Sequence, residues 1–168
     1  MGDVKNLIAK EAIEKINGLV KANDICLFTT DLTNLPLATC PMSTQQVDEE
    51  GNLWFFSGAD SEHNGNLASD DRVQLFYSNK SNYEFLSIYG EAVVIKDKKK
   101  AKELWNPMVK TWFHEGVDDP NLTLIKVTPS DAYYWDTKSN KLVSVLKIVT
   151  GALIGKTMDN GVEGSIKI

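Results

Sequence analysis

Arginine is nearly missing from this sequence: Arg72 is the only one among 18 basic residues, the rest being lysine. Forked, two-point grips on phosphate or carboxylate are therefore almost unavailable to the chain. Histidine is scarce as well, and His63 and His114 stand at no zinc-ligand spacing with the two cysteines, so a metal site has no support. No apolar run approaches the roughly 18 residues of a membrane span. Clusters such as Leu53-Trp54-Phe55-Phe56 are far shorter, and the mean hydropathy is −0.24. The acidic excess, 23 Asp and Glu against 18 Lys and Arg for a net charge of −5, disfavours non-specific attachment to nucleic acid. A Gly-x-Ser-x-Gly elbow and the local signatures of cysteine hydrolases are both missing, and no catalytic residue stands out. Asp3 and Lys5 fall where a secretory leader needs an apolar core, so the expected compartment is the reducing cytoplasm, with Cys26 and Cys40 as thiols.

What is present reads as one domain over residues 1–168, with an N-terminal helix within 1–22 and a C-terminal tail over about 146–168. From Lys5 to Val20, Ile8, Ala12, Ile13, Ile16, Leu19 and Val20 recur at three- and four-residue intervals, which predicts a helix with one apolar stripe. Six short segments rich in β-branched and aromatic residues follow: Ile25–Thr30, Leu37–Met42, Leu53–Ser57, Val73–Tyr77, Tyr83–Ile95 and Leu122–Val127. The turns at Asp31–Asn34 and Glu49–Asn52 are too short for a crossover helix, so the sheet is antiparallel and a doubly wound parallel sheet is excluded. Asp97–Lys110 has helical spacing that Pro107 interrupts, and Asp131–Asp136 reads as a further strand. Such a sheet hides its edges by closing into a barrel or by pairing with another chain. Trp105, Trp112, Phe113 and Trp135 exceed what one small barrel interior takes, so part of this aromatic mass is expected at a dimer interface.

Three local patterns invite chemistry. Gly151–Thr157 ends like a phosphate-binding loop but is one residue too short between its glycines. A hairpin turning at Thr33 places Cys26 and Cys40 opposite each other, the arrangement of a redox pair. The strand Ala38–Met42 and the turn Ser57–Asn64, where Asp60 or Ser61 caps a short helix to about Ser69, together form a candidate anion site.

The order of several strings carries a resemblance. Pro41–Val47 (PMSTQQV), Leu53–Ser61 (LWFFSGADS), Glu103–Met108 (ELWNPM), Trp112–Pro120 (WFHEGVDDP) and Tyr134-Trp135-Asp136 resemble, in sequence order, the bacterial general stress proteins of the pyridoxamine-phosphate-oxidase-like group, over roughly residues 5–168. That resemblance implies a mainly β protein with flanking helices: a homodimeric, antiparallel split β-barrel binding FMN, or in some relatives FAD, in a cleft between subunits. It implies that Ala38, Thr39, Cys40, Pro41 and Met42 run beside the flavin, that Phe56 and Ser57 touch it, and that Ser61 and His63 receive its phosphate. Tyr83 and Glu84 would approach the ring, with Trp135 and Lys141 arriving from the partner. Where relatives commonly carry arginines this chain has Ala38 and Cys40, and His63 replaces a lysine, with Glu62 adding negative charge. Held as an imidazolium, His63 would lose its grip on phosphate above about pH 6.5. The expected function is a general stress protein that binds flavin, as an oxidoreductase of low specificity or a flavin store. The alternative is a split-barrel dimer that has lost its flavin and acts as a binding protein. Neither a membrane nor nucleic acid is an expected partner.

Overall fold

The computed structural model describes residues 3–4, 7–8, 10–137 and 161–167. Among them the chain order is β1 (Asp3–Val4), β2 (Leu7–Ile8), α1 (Lys10–Ala22), β3 (Ile25–Thr30), β4 (Ala38–Val47), β5 (Leu53–Gly58), α2 (Glu62–Leu67), β6 (Arg72–Asn79), β7 (Glu84–Ile95), α3 (Lys98–Leu104), β8 (Leu122–Thr137) and β9 (Gly161–Lys167). The sheet runs β8-β5-β4-β3-β6-β7, and β7 pairs back onto β8, so six antiparallel strands close into a barrel. β8 is long enough to pair with β5 through Leu122–Val127 and with β9 through Ala132–Thr137 while β7 follows it along its length.

Alternation along the strands fills the interior. One ring of aligned positions runs Phe28, Leu75, Ile88 and Ala132, and the next runs Cys26, Tyr77, Leu86 and Tyr134. All are buried, and Phe28 meets Phe55 edge to face at 5.3 Å. Each large apolar side chain so buried stabilises the fold by about 1.5–3 kcal/mol. Inside this apolar lining, the Tyr77 hydroxyl and Thr44 Oγ1 satisfy each other at 2.7 Å. Ala12, Ile16, Leu19 and Val20 of α1 lie on one stripe and join the same core.

Three expectations change. The apolar stripe read from Lys5 becomes helical only at Lys10, because Leu7 and Ile8 pair in parallel with Ile166 and Lys167, where the sheet satisfies their backbone groups. The end of the C-terminal tail is a strand: β9 lies between β8 and those N-terminal strands. Leu122–Val127 and Asp131–Asp136 form one strand, joined at a bulge beside Pro129, the kind of position where a sheet tolerates proline. At the same place Gly90 approaches β8 so closely that a Cβ would lie 2.3 Å from the Thr128 carbonyl oxygen. As the pattern around Pro107 predicts, α3 stops at Leu104 and the chain resumes as a short 3-10 turn over Val109–Thr111.

A smaller apolar cluster sits outside the barrel wall. Ala101, Val109, Phe113, Leu122 and Leu124, with Trp54, Phe56, Leu104 and Trp105 at its margin, join α3 and the 3-10 turn to the outer face of β5 and β8. Trp105 and Phe113 are thus used within the chain, whereas Trp112 and Trp135 are 68% and 41% exposed.

Candidate functional site

β4, the end of β5, the start of α2 and the 3-10 turn surround a cleft of about 420 Å³. Strand alternation decides which side chains reach it. On β5, Leu53, Phe55 and Ser57 turn inward and Trp54 and Phe56 outward. The outward Phe56 ring is held edge-on by Trp105 at 5.9 Å and beside Phe113 at 6.4 Å. With Pro41, Met42, Val109 and Trp112, the Phe56 and Phe113 rings give the cleft apolar walls, and Cys40, Ser57, His63 and Asn121 supply polar atoms.

Ser57 organises the polar part. Its hydroxyl donates to Asn64 Oδ1 at 2.7 Å, so its single proton is spent. His63 Nε2, also 2.7 Å away, must then donate to Ser57 Oγ, as must the Ser61 hydroxyl at 3.3 Å. That assigns the proton of a neutral His63 to Nε2 and leaves Nδ1 as acceptor for the Cys40 thiol, 3.7 Å away. Onward, Asn64 Nδ2 donates to Thr123 Oγ1 at 3.0 Å, and Thr123 donates to the Ser57 carbonyl at 2.7 Å. The result is one directed chain of donors from thiol to carbonyl. Among the described residues no buried side-chain N or O lacks a partner.

Burial lowers the His63 pKa, against a smaller opposing effect of the Glu62 carboxylate. Burial also pushes the Cys40 thiol up, and there Glu62 adds to the shift. At neutral pH the pair is therefore thiol and imidazole, not thiolate and imidazolium.

The residues singled out from sequence divide into groups. Cys40, Pro41, Met42, Phe56, Ser57 and His63 line the cleft together, and Ser61 touches it through Ser57. Ser61 caps α2, its Oγ accepting from Asn64 N at 3.3 Å, although the helix ends at Leu67 and not near Ser69. Ala38 and Thr39 lie further along β4 and do not line the cleft; Thr39 Oγ1 is 3.0 Å from Thr29 Oγ1. Tyr83 and Glu84 sit at the turn from β6 to β7, Tyr83 in the left-handed region at φ 56° and Glu84 held by Asn79 at 2.9 Å. Trp135 borders a different groove, of about 430 Å³, with Phe76 and Phe85. Lys141 and the string Gly151–Thr157 lie outside the described residues. Cys26 and Cys40 are not opposed: Met42 stands across from Cys26 and Phe28 from Cys40, because the hairpin register is centred one residue beyond Thr33, and both thiols are free.

Ser43, Gln45, Val109, Trp112, Phe113 and Asn121, none of them singled out for it, complete the lining together with Gly58 of the candidate anion turn. Thr123 is likewise new, and Asn64, the last residue of the candidate anion turn, holds Ser57 with it. Beside the cleft the barrel presents an apolar outer band. Pro41, at the rim, pairs with Leu27, which pairs with Phe76, and these last two are 52% and 45% exposed. Phe85 and Trp135, paired across β7 and β8, continue it.

The sequence pattern of the family described as Pyridoxamine 5'-phosphate oxidase like matches residues 11–159. The chain belongs to the pyridoxamine 5'-phosphate oxidase-like family. Among curated proteins, this family member is 24% identical over 157 residues to Protein bli-3 of Neurospora crassa, covering 87% of this chain and 75% of that protein. Its fold is that of a protein described as general stress protein 26 from Jannaschia sp. CCS1, with a TM-score of 0.77 at 19% identity, covering 95% of this chain and 100% of the other. It is also similar to the general stress FMN/FAD binding protein of Xanthomonas citri, with a TM-score of 0.66 at 29% identity over 79% of this chain and 93% of that one. The pyridoxamine 5'-phosphate oxidase-like fold thus places the cleft on the wall of a closed barrel, at the edge of an exposed apolar band.

Proposed function

We propose that this protein binds a flavin, FMN or FAD, in the cleft beside Cys40, Pro41 and Met42, and works in the cytoplasm as a stress-protein-type flavoprotein. The observation that carries the reading is the shape and chemistry of the cleft. Its volume of about 420 Å³ suits a small planar ligand, and Met42, Phe56, Trp112 and Phe113 give it walls against which an aromatic ring system loses water. The similarity to a general stress FMN/FAD binding protein supports the same ligand class. A bound flavin supplies hydride or single-electron exchange at its own ring, which suits a site with no dedicated acid or base and a low-specificity redox role.

In this reading Phe56 and Met42 hold the ring, and Ser57, Ser61 and His63 face its polar side. A second copy of the chain seats on the Leu27–Phe76 band, covering exposed apolar surface and roofing the cleft. Tyr83, Glu84, Trp135 and Lys141, remote from the cleft or outside the described residues, are assigned to that shared site, with Trp135 and Lys141 reaching the flavin ring of the other subunit. The test is direct. Purified protein mixed with FMN is expected to show quenched flavin fluorescence and a measurable heat of binding, and protein that gives neither overturns the proposal.

A further inference from the structure

The polar end of the cleft is built from uncharged groups. Neither lysine nor arginine is among the described residues lining it, and the Ser57 hydroxyl, the His63 ring, the Cys40 thiol and the Asn121 amide stand there instead. The Ser57 and His63 side-chain donors that a phosphate would seek are already committed. His63 spends Nε2 on Ser57 at 2.7 Å and turns Nδ1 to Cys40 at 3.7 Å. Ser57 spends its proton on Asn64 Oδ1, and the backbone N–H of Asn64 is taken by Ser61 Oγ. Glu62, exposed and adjacent to His63, opposes an incoming dianion through its charge. Several cations elsewhere in the described chain are engaged: Arg72 by Asp70 at 2.7 Å, Lys100 by Gln46 at 2.6 Å and Glu103 at 2.7 Å, and Lys98 by Asp118. Burial keeps the imidazole neutral, so the one histidine in the lining does not supply the missing charge.

A phosphate of nearly two negative charges loses hydration on entering a site and regains it only from ionic or well-aimed donors. A terminal hydroxyl asks for far less. The apolar walls, by contrast, act equally on any ligand that carries the ring. We propose that the cleft recognises a flavin by its ring alone, so that the phosphate contributes no affinity and riboflavin binds as well as FMN. This rests on the flavin reading above and names the part of the ligand that is recognised.

The experiment titrates the purified full-length chain, freed of bound flavin, with riboflavin and with FMN, reading calorimetric heat and flavin fluorescence. The expected result is two dissociation constants within about fivefold of each other, a difference below about 1 kcal/mol, with inorganic phosphate failing to displace FMN. FMN binding tighter than riboflavin by more than that factor overturns the inference and leaves the flavin reading intact. Binding of neither overturns both. A second measurement installs the missing charge: in Cys40→Arg or His63→Lys the ratio of riboflavin to FMN dissociation constants is expected to rise, and an unchanged ratio in a folded variant overturns the placement of the phosphate end at Cys40 and His63.

Discussion

The Ser57 hydroxyl lies 2.7 Å from His63 Nε2, with its own proton already given to Asn64 Oδ1. One small side chain thereby fixes a tautomer, ties β5 to α2 and, through Thr123, anchors both to β8. Ser57→Ala leaves a buried amide oxygen and an imidazole N–H without partners, which costs about 1–3 kcal/mol. Equilibrium denaturation is expected to show that loss. A neutral outcome, or a proton–nitrogen correlation spectrum showing His63 protonated at Nδ1 in the native protein at neutral pH, contradicts the directed chain.

His63 is expected to titrate below its ordinary value of 6.5, since burial disfavours the imidazolium more than Glu62 favours it. Between the depressed folded midpoint and 6.5 the unfolded chain binds more protons than the native one, so stability rises with pH across that window. The contribution is fully present above 6.5 and is lost on acidification through the folded value. An NMR titration of the His63 ring checks it, and a midpoint at or above 6.5 refutes it. Glu62→Gln is expected to lower the midpoint further.

Neither cysteine is a ready nucleophile. Burial pushes Cys26 up to about 12, against the lowering effect of a hydrogen bond with Tyr77, and raises Cys40 as well. With iodoacetamide at pH 8, both are expected to react more slowly than an unfolded control, Cys40 at the cleft before Cys26 in the barrel. Mass spectrometry of digested protein reads the order. FMN is expected to protect Cys40, and alkylation of Cys40 at the same rate with and without bound FMN counts against the placement of the site.

Gly90→Ala places a methyl group against the Thr128 carbonyl oxygen and the Pro129 Cα, both backbone atoms that cannot swing aside. Overpacking of this kind costs about 1–3 kcal/mol. Thermal unfolding is expected to shift down accordingly, and an unchanged midpoint means the β7–β8 seam opens more readily than its register implies.

Leu27→Lys and Phe76→Glu, both on exposed outward positions of the barrel, are expected to leave the fold intact and to convert the proposed dimer into monomer. Light scattering on the native chain and on both variants tests this. A native chain that runs as a monomer removes the second copy from the proposed site.

The antiparallel barrel was legible because β-branched and aromatic residues cluster in short runs between polar turns too brief for helices, and because Pro107 breaks one helix in two. The N-terminal boundary was not, because Leu7 and Ile8 fit a helical stripe equally well and only the distant Ile166 and Lys167 make them strand. Within the site, Cys40, Met42, Ser57 and His63 came from local strings. The roles of Asn64 and Thr123 were hidden because they depend on neighbours brought by folding: Asn64 reads only as the end of the candidate anion turn, and Thr123 as one more β-former. Trp112 and Phe113 were visible as aromatic mass, yet nothing local says that one fills a cluster and the other rims a cleft.

β8 bonds to β5, β7 and β9, so three separate parts of the molecule wait for the same sixteen residues. A nascent chain that has emerged only as far as Pro120 carries β5 and β7 as raw sheet edges, each a template for another copy. The interval between synthesis of Ile95 and of Thr137 is therefore when this protein is most exposed to aggregation, and premature termination inside that interval yields fragments fit for chaperones or proteases alone.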